Sequence, residues 1–230
     1  MRLFEFEQSG NRGLTIFDID DTLFHTTAKI NVVKNNQVIK RLSNQEFNTY
    51  NLEPGEEFDF GEFKNAEKFN RESKPIKPMI NLLKSILKIG ANDRVIMLTA
   101  RSDFDNKELF LDTFKQHGID MNRIHVHRAG NIPGKASPAE KKAIWVRQYL
   151  NTDKFRRVRL YDDSMNNLVV FKNLKREYPE VDFHAYYVGP EGDTSVVKEY
   201  NLAAFTGSAD VIGDDLPFSP IGSVARSQYK

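Results

Sequence analysis

Two patterns of apolar residues alternate along the chain. Short runs rich in branched and aromatic residues, Leu14 to Ile19, Arg94 to Leu98, Arg123 to Val126, Val158 to Tyr161 and Phe183 to Val188, read as strands. Most are too continuously apolar for a sheet with one wet face, which predicts parallel strands covered on both sides. Between them, KPMINLLKSILKIG spaces Met79, Leu82, Leu83, Ile86 and Leu87 at helical intervals and stops at Gly90. DFDNKELFLDTFKQHG does the same with Leu109, Phe110 and Phe114, ending at Gly118. SPAEKKAIWVRQYL opens with Ser137 as N-cap, Pro138 at the first helical position and Glu140 completing a capping box. Strands alternating with helices predict βαβ units, hence a Rossmann-like, parallel, five-stranded α/β sheet with helices on both faces.

The alternation breaks between about residues 25 and 74. KINVVKNNQVIKRL reads as a hairpin turning at Asn35-Asn36. In NLEPGEEFDFGEFKNAEKF, Phe58, Phe60 and Phe63 are too many aromatics for a solvated linker. This stretch is expected to be an ordered insertion, a flap or small cap, on a core of residues 1–200. The segment 201–230 has no clear periodicity and is expected to be a tail, wrapped loosely or disordered.

The chain's 230 residues, 40% of them hydrophobic, can bury a large core. Thirty-three basic against thirty-two acidic residues give a net charge of +1, so no global field attracts nucleic acid or a membrane. The lack of cysteine excludes disulfides, thiolate catalysis and zinc-thiolate sites. No apolar stretch approaches the roughly 20 residues of a membrane span, and MRLFEFEQSGNRG has no signal-peptide core. A cytoplasmic protein with no membrane partner is the expectation; oligomeric state is not legible.

Ligands of a parallel α/β sheet bind outside the carboxyl ends of its strands. The first strand ends in Asp18-Ile19-Asp20-Asp21-Thr22, the second gives Thr99 and Arg101, and the fourth gives Asp162 and Asp163. Lys135, Lys141 and Lys142 precede the fourth strand. Carboxylates from two strands, a hydroxyl and basic groups are thus predicted to meet at one edge. Clustered oxygen ligands suit a hard cation such as Mg²⁺. An Asp can attack phosphorus, and a clamp of metal, Lys and Arg stabilises a transferring phosphoryl group. His125 and His127 lack metal-site spacing with other ligands and are read as structural, and KFRRVR as a solvated face.

The sequence closely resembles the haloacid dehalogenase (HAD) superfamily of phosphohydrolases over about residues 13 to 190. Asp18, Asp20 and Thr22 match its Asp-x-Asp-x-Thr motif, Thr99 its second motif, a lysine its third, and Asp162-Asp163 its fourth. The resemblance implies that Asp18 is the nucleophile, forming an aspartyl-phosphate and binding Mg²⁺. It makes Asp20 the general acid and then base, its carbonyl also ligating the metal. Asp163 becomes a metal ligand, with Asp162 assisting, and Thr99 a phosphoryl hydrogen-bond donor. Lys135 fits the family's common Lys-x-x-Pro arrangement. Lys141 fits the phosphatase domains of polynucleotide kinase-phosphatases, which also carry an Arg where Arg101 stands; it ranks first, with Lys135 and Lys142 close behind. Arg101, Thr22, Lys142 and His25 are expected to line the substrate pocket. Asn167 stands where some members carry an Asp, and Asp21 occupies a variable position, often Gly.

Receiver domains order similar residues but need a further strand-end Asp in the interval the insertion fills, so that reading is rejected. The expected function is a Mg²⁺-dependent phosphomonoester hydrolase. The resemblance implies a nucleotide or nucleic-acid terminal phosphate as substrate: no large cap fits between the second and third motifs, weakly capped members of the superfamily tend to accept bulky substrates, and Arg101 matches the polynucleotide kinase-phosphatases. The alternatives are a small-metabolite phosphatase and an inactive binding module that keeps the fold.

Overall fold

The structure, a computed structural model, describes residues 12–198 except 90–93, 135 and 153. The expected tail, 201–230, lies outside the described residues.

Strand β1 (Arg12–Phe17) is followed by β2 (Phe24–His25), β3 (Ile30–Lys34), β4 (Gln37–Leu42), helix α1 (Asn44–Thr49), β5 (Glu56–Asp59), α2 (Ala66–Glu72) and β6 (Lys74–Pro75). Then come α3 (Lys77–Ile89), β7 (Arg94–Thr99), α4 (Lys107–Gln116), β8 (His125–Arg128), α5 (Pro138–Leu150), β9 (Phe155–Asp162), α6 (Met165–Asn173), β10 (Asp182–Val188) and β11 (Thr194–Val196).

The main sheet has the order β11-β10-β9-β1-β7-β8. Five strands are parallel, as the unbroken apolar runs predict, and β11 adds a sixth, antiparallel to β10. The third parallel strand starts two residues later than its sequence suggests, because Asp120 caps a 3-10 turn that takes up Met121–Arg123. Along β1, Leu14 and Ile16 enter the core shared with α5 and α6, while Phe17 enters the one shared with α3 and α4. Both faces are therefore dry, and α3 adds Met79, Ile80, Leu83 and Leu87, each fully buried side chain contributing roughly 1.5–3 kcal/mol. From β1 the chain runs to β7 and β8 on one side, then crosses to β9 and β10 on the other. The carboxyl end of β1 is thus a topological switch point, where open α/β sheets place their ligands.

The insertion leaves and returns through one antiparallel ribbon, with Phe24 opposite Pro75 and His25 opposite Lys74. Beyond it, β4-β3-β5 form a three-stranded antiparallel sheet. The hairpin turns at Asn35-Asn36 as the sequence predicts, both residues having the positive φ (52° and 63°) that Asn tolerates. This sheet has its own small core of Ala28, Ile30, Val32, Leu42 and Phe63. By contrast α2 is bolted to the main body: Phe69 packs against Phe24, Phe110 and Phe114, and the Ala66 amide donates to Asp105 (2.9 Å). Among the described residues no helix is long and apolar enough to cross a membrane.

Candidate active site

Strand register brings the acids together. Phe17 lies opposite Tyr161, and the Asp18 amide continues the ladder by donating to the Tyr161 carbonyl (3.0 Å). The rings of Phe17, Tyr161 and Tyr186 stack in a row across β1, β9 and β10 at 4.8 and 4.7 Å. Because side chains alternate, the next residues, Asp18 and Asp162, turn to the opposite face, towards α5.

Helix α5 meets them with Lys142. Its buried stripe is Ala139, Lys142, Ala143, Val146 and Leu150, a helical repeat with one cation in it. The Lys142 ammonium donates to Asp18 Oδ1 (2.6 Å) and to Asp162 Oδ2 (2.8 Å), and its residue is only 4% exposed. These contacts hold its pKa above the ordinary lysine value against the opposing effect of burial. Of the three lysines in the sequence reading, the structure brings Lys142 to the acids. Lys141, the first-ranked of the three, falls a helical step off the stripe and, among the described residues, makes no hydrogen bond or ion pair with them. Lys135 lies outside the described residues.

Asp162 is fully buried and accepts from the Ser164 amide (2.9 Å) and from the side-chain amide of Asn167 (2.8 and 3.0 Å). Asn167 therefore fixes a carboxylate. Asp18, Asp162 and Asp163 each offer an oxygen within 4.8 Å of the others. If all three ionise, three negative charges face the single Lys142 cation, a deficit of two. Burial, with help from Asp162 and Asp20 and opposed by Lys142, pushes the Asp18 carboxyl up to about 7. Asp163 is raised well above its ordinary value, first by loss of water and then by Asp162, Asp18 and Asp21. An all-oxygen donor set short of two positive charges fits a divalent, oxygen-seeking cation. The residues present are thus suited to hold Mg²⁺.

Asp20 stands apart from that cluster. Arg101 grips its carboxylate through Nε (2.9 Å to Oδ2) and Nη2 (2.6 Å to Oδ1). The same guanidinium donates to the Phe63 carbonyl (2.7 Å) and the Thr26 hydroxyl (3.1 Å). It lies 4.6–5.3 Å from the ring centres of Phe63, Phe69 and Phe104. Only 3% exposed, Arg101 acts on Asp20 rather than offering an open cationic surface, which differs from the pocket-lining place its sequence position suggests. Thr99 is fully buried; its hydroxyl accepts from the Arg101 amide (3.1 Å) and lies 3.5 Å from Asp20 Oδ2.

The remaining sequence candidates lie at the margin. Thr22 is fully buried beneath the loop, its hydroxyl finding no partner among the described residues. His25 is partly exposed, its Nδ1 3.4 Å from Asp21 Oδ1. Sequence reasoning missed Phe63, Thr26 and Asn44. Phe63 acts through its backbone carbonyl, which has no residue signature, and Asn44 reaches Asp21 from 23 positions away.

No protein-family model and no curated protein sequence matches the chain. Among solved structures, the HAD domain of effector protein Lem4 from Legionella pneumophila superposes with a TM-score of 0.45 at 14% identity, covering 79% of this chain and 88% of that one. An inactive mutant of that domain gives a TM-score of 0.43 at 15% identity, covering 76% and 85%. The likeness is one of chain course, at low sequence identity.

Proposed function

We propose that the chain is a Mg²⁺-dependent phosphomonoester hydrolase of the HAD type, working through an aspartyl-phosphate on Asp18. The observation that carries this reading is the Lys142 ammonium bridging Asp18 and Asp162, with Asp163 alongside, at the switch point of the sheet. Four groups that each cost free energy to bury have been placed where a phosphate and a cation would offset that cost.

Asp18, Asp163 and the Asp20 carbonyl would hold Mg²⁺, which when bound supplies charge neutralisation for the phosphoryl group. The carboxylate oxygen of Asp18 forms the new bond to phosphorus as the bond to the leaving oxygen breaks, and Asp20 gives that oxygen a proton. Asp20 then takes a proton from the water that attacks phosphorus, releasing inorganic phosphate and restoring Asp18. Lys142 holds the attacking carboxylate in place, Thr99 serves the phosphoryl oxygens, and Arg101 fixes the rotamer of Asp20.

The substrate class that leads is a nucleotide or nucleic-acid terminal phosphate, supported by the short connections between β7 and β9, which leave no room for a large cap. A second reading, a small-metabolite phosphatase, is favoured by one contact, that of Asn44 in the insertion with Asp21 beside the site (2.7 Å). The reading is tested by hydrolysis of an aryl phosphate with Mg²⁺, with and without chelator, beside Asp18→Asn. Loss of turnover in both the chelated protein and the variant is expected, and turnover that survives Asp18→Asn would overturn the nucleophile. Terminally phosphorylated oligonucleotides, nucleoside monophosphates and sugar phosphates, compared side by side, then decide the class.

A further inference from the structure

Asp21 is the carboxylate the proposed chemistry does not use, and its backbone is costly. Its φ of +56° lies in the left-handed region, which suits glycine and which Asp occupies only with support. A tight turn imposes that angle, since the Asp21 amide donates to the Phe24 carbonyl (2.7 Å) while the Leu23 amide donates back to Ile19 (2.9 Å). A side chain held at such a point calls for a task. The Asp21 carboxylate accepts a hydrogen bond from the Asn44 side-chain amide (2.7 Å). Asn44 opens α1 directly after the N-cap Ser43, inside the Ser43–Glu46 capping box, so the helix start is fixed and the Asn44 side chain can reach the core.

The insertion is held unevenly. The chain from Lys64 to Glu72 is fastened to the main body by Phe69, by Ala66 to Asp105 and by Asn70 to Thr113. The β3–β4–β5 sheet has a separate core. It is tied back to the fastened part through Glu62, which accepts from the Lys29 amide and pairs with Arg41 and Lys68, and through the Thr27 hydroxyl, which donates to Glu72. Near the catalytic loop, Arg101 holds the Thr26 hydroxyl and the Phe63 carbonyl, His25 lies 3.4 Å from Asp21, and Asn44 at the start of α1 adds the 2.7 Å bond to Asp21.

We propose that Asp21 and Asn44 form a latch that registers the insertion sheet against the catalytic loop, making Asn44 and Asp21 positioning residues that set how large a leaving group the site admits. This rests on the phosphatase reading above and deepens it. With the latch made, α1 is held beside the catalytic loop; with it broken, α1 and the sheet shift about the ties at Glu62, Thr27 and Phe63, and bulky leaving groups enter more easily.

The test uses the full chain, Mg²⁺ and three aryl phosphates of rising bulk: phenyl phosphate, 4-methylumbelliferyl phosphate and fluorescein monophosphate. The variants are Asn44→Ala, which removes the donor, Asp21→Gly, which removes the acceptor and relieves the backbone, and Asp21→Asn, which drops the charge but keeps an acceptor oxygen. In Asn44→Ala and Asp21→Gly, kcat/KM for the largest substrate relative to the smallest is expected to rise about tenfold, the equivalent of one hydrogen bond. Asp21→Asn is expected to keep the wild-type ratio. Ratios unchanged in both disrupting variants overturn the latch while leaving the phosphatase reading intact. If the wild type hydrolyses none of these esters, the phosphatase reading fails, and hydrogen exchange decides the latch. Amides of β3 and β4 should then exchange about tenfold faster in Asn44→Ala, with β1 and β7 unchanged, and equal exchange would overturn it.

Discussion

Arg101 and Asp20 are joined at two points, Nη2 to Oδ1 at 2.6 Å and Nε to Oδ2 at 2.9 Å, beneath an aromatic cover of Phe63, Phe69 and Phe104. The arginine comes from the end of β7, the acid from the end of β1, and the carbonyl that holds the arginine's far side from the insertion. One buried cation thus ties three parts of the chain to the orientation of a single carboxylate. Arg101→Lys keeps the charge but loses the planar fork. Its kcat is expected to fall about a hundredfold, the scale of a misdirected acid–base group, with KM little changed. A rise in KM at unaltered kcat would show instead that Arg101 binds substrate directly. Arg101→Ala leaves Asp20 unpaired and is expected to destabilise the fold by about 3–5 kcal/mol, read by denaturant unfolding.

Lys142 and Lys141 are neighbours in sequence with opposite expectations. Lys142→Met should lower kcat about a thousandfold or more, because Asp18 loses its orienting ammonium. Its metal-free melting temperature should fall as well, since three crowded carboxylates lose their cation. Lys141→Met is expected to leave both quantities near wild type. Equal damage from the two variants would show that the helix start matters and the individual ammonium does not.

Stability should depend on pH and on divalent cation in a linked way. The Asp18 carboxyl is raised from 3.8 to about 7. Below 3.8 it is protonated in both states; between 3.8 and about 7 the unfolded chain gives up a proton that the folded chain keeps, so stability falls as pH rises through that window. Asp163, also raised, acts in the same direction. His127 acts the other way. Burial against Trp145, with His125, Arg94 and Arg128 nearby, lowers it from 6.5 to about 4, so its contribution is lost as pH falls through that interval. Because Mg²⁺ requires ionised carboxylates, it should raise the melting temperature more at about pH 8 than at about pH 5, and chelator should remove the difference. A Mg²⁺ effect independent of pH would contradict the assignment of the cluster as its site.

Gly130 supports the loop that carries Arg101. A Cβ there would lie 2.5 Å from the Ala100 carbonyl oxygen and 2.6 Å from the Ser102 nitrogen, both backbone atoms. The Gly130 amide also donates to the Arg101 carbonyl (3.1 Å). Gly130→Ala is expected to cost about 1–3 kcal/mol through overpacking and to lower kcat by displacing the Arg101–Asp20 pair. Full activity at wild-type stability would show that the loop yields without moving the pair.

Much of this was readable from residues because local rules and tertiary packing agree. The run from Leu14 to Phe17 is apolar on both faces and ends in acids, which predicts a central parallel strand with a site at its carboxyl end. Ser137, Pro138 and Glu140 announce a helix start that the structure repeats atom for atom. The choice among the lysines was also present in the sequence: Lys142 shares the helical period of Ala139, Ala143, Val146 and Leu150, while Lys141 does not. What was not legible depends on distant geometry. Thr194–Val196 is short and exposed and becomes a strand only because β10 offers a free edge. The hold on Arg101 comes from a backbone carbonyl, and the use of Asp21 depends on an asparagine at the start of α1 in the insertion.

The central claim, that Asp18 carries the phosphoryl group, is tested most directly by acid quench during turnover of an aryl phosphate, followed by peptide mapping. A phosphorylated carboxylate on the peptide containing Asp18 and Asp20, assigned to Asp18 and absent from Asp18→Asn, is the predicted result. Steady turnover with no phosphopeptide, retained in Asp18→Asn, would contradict it.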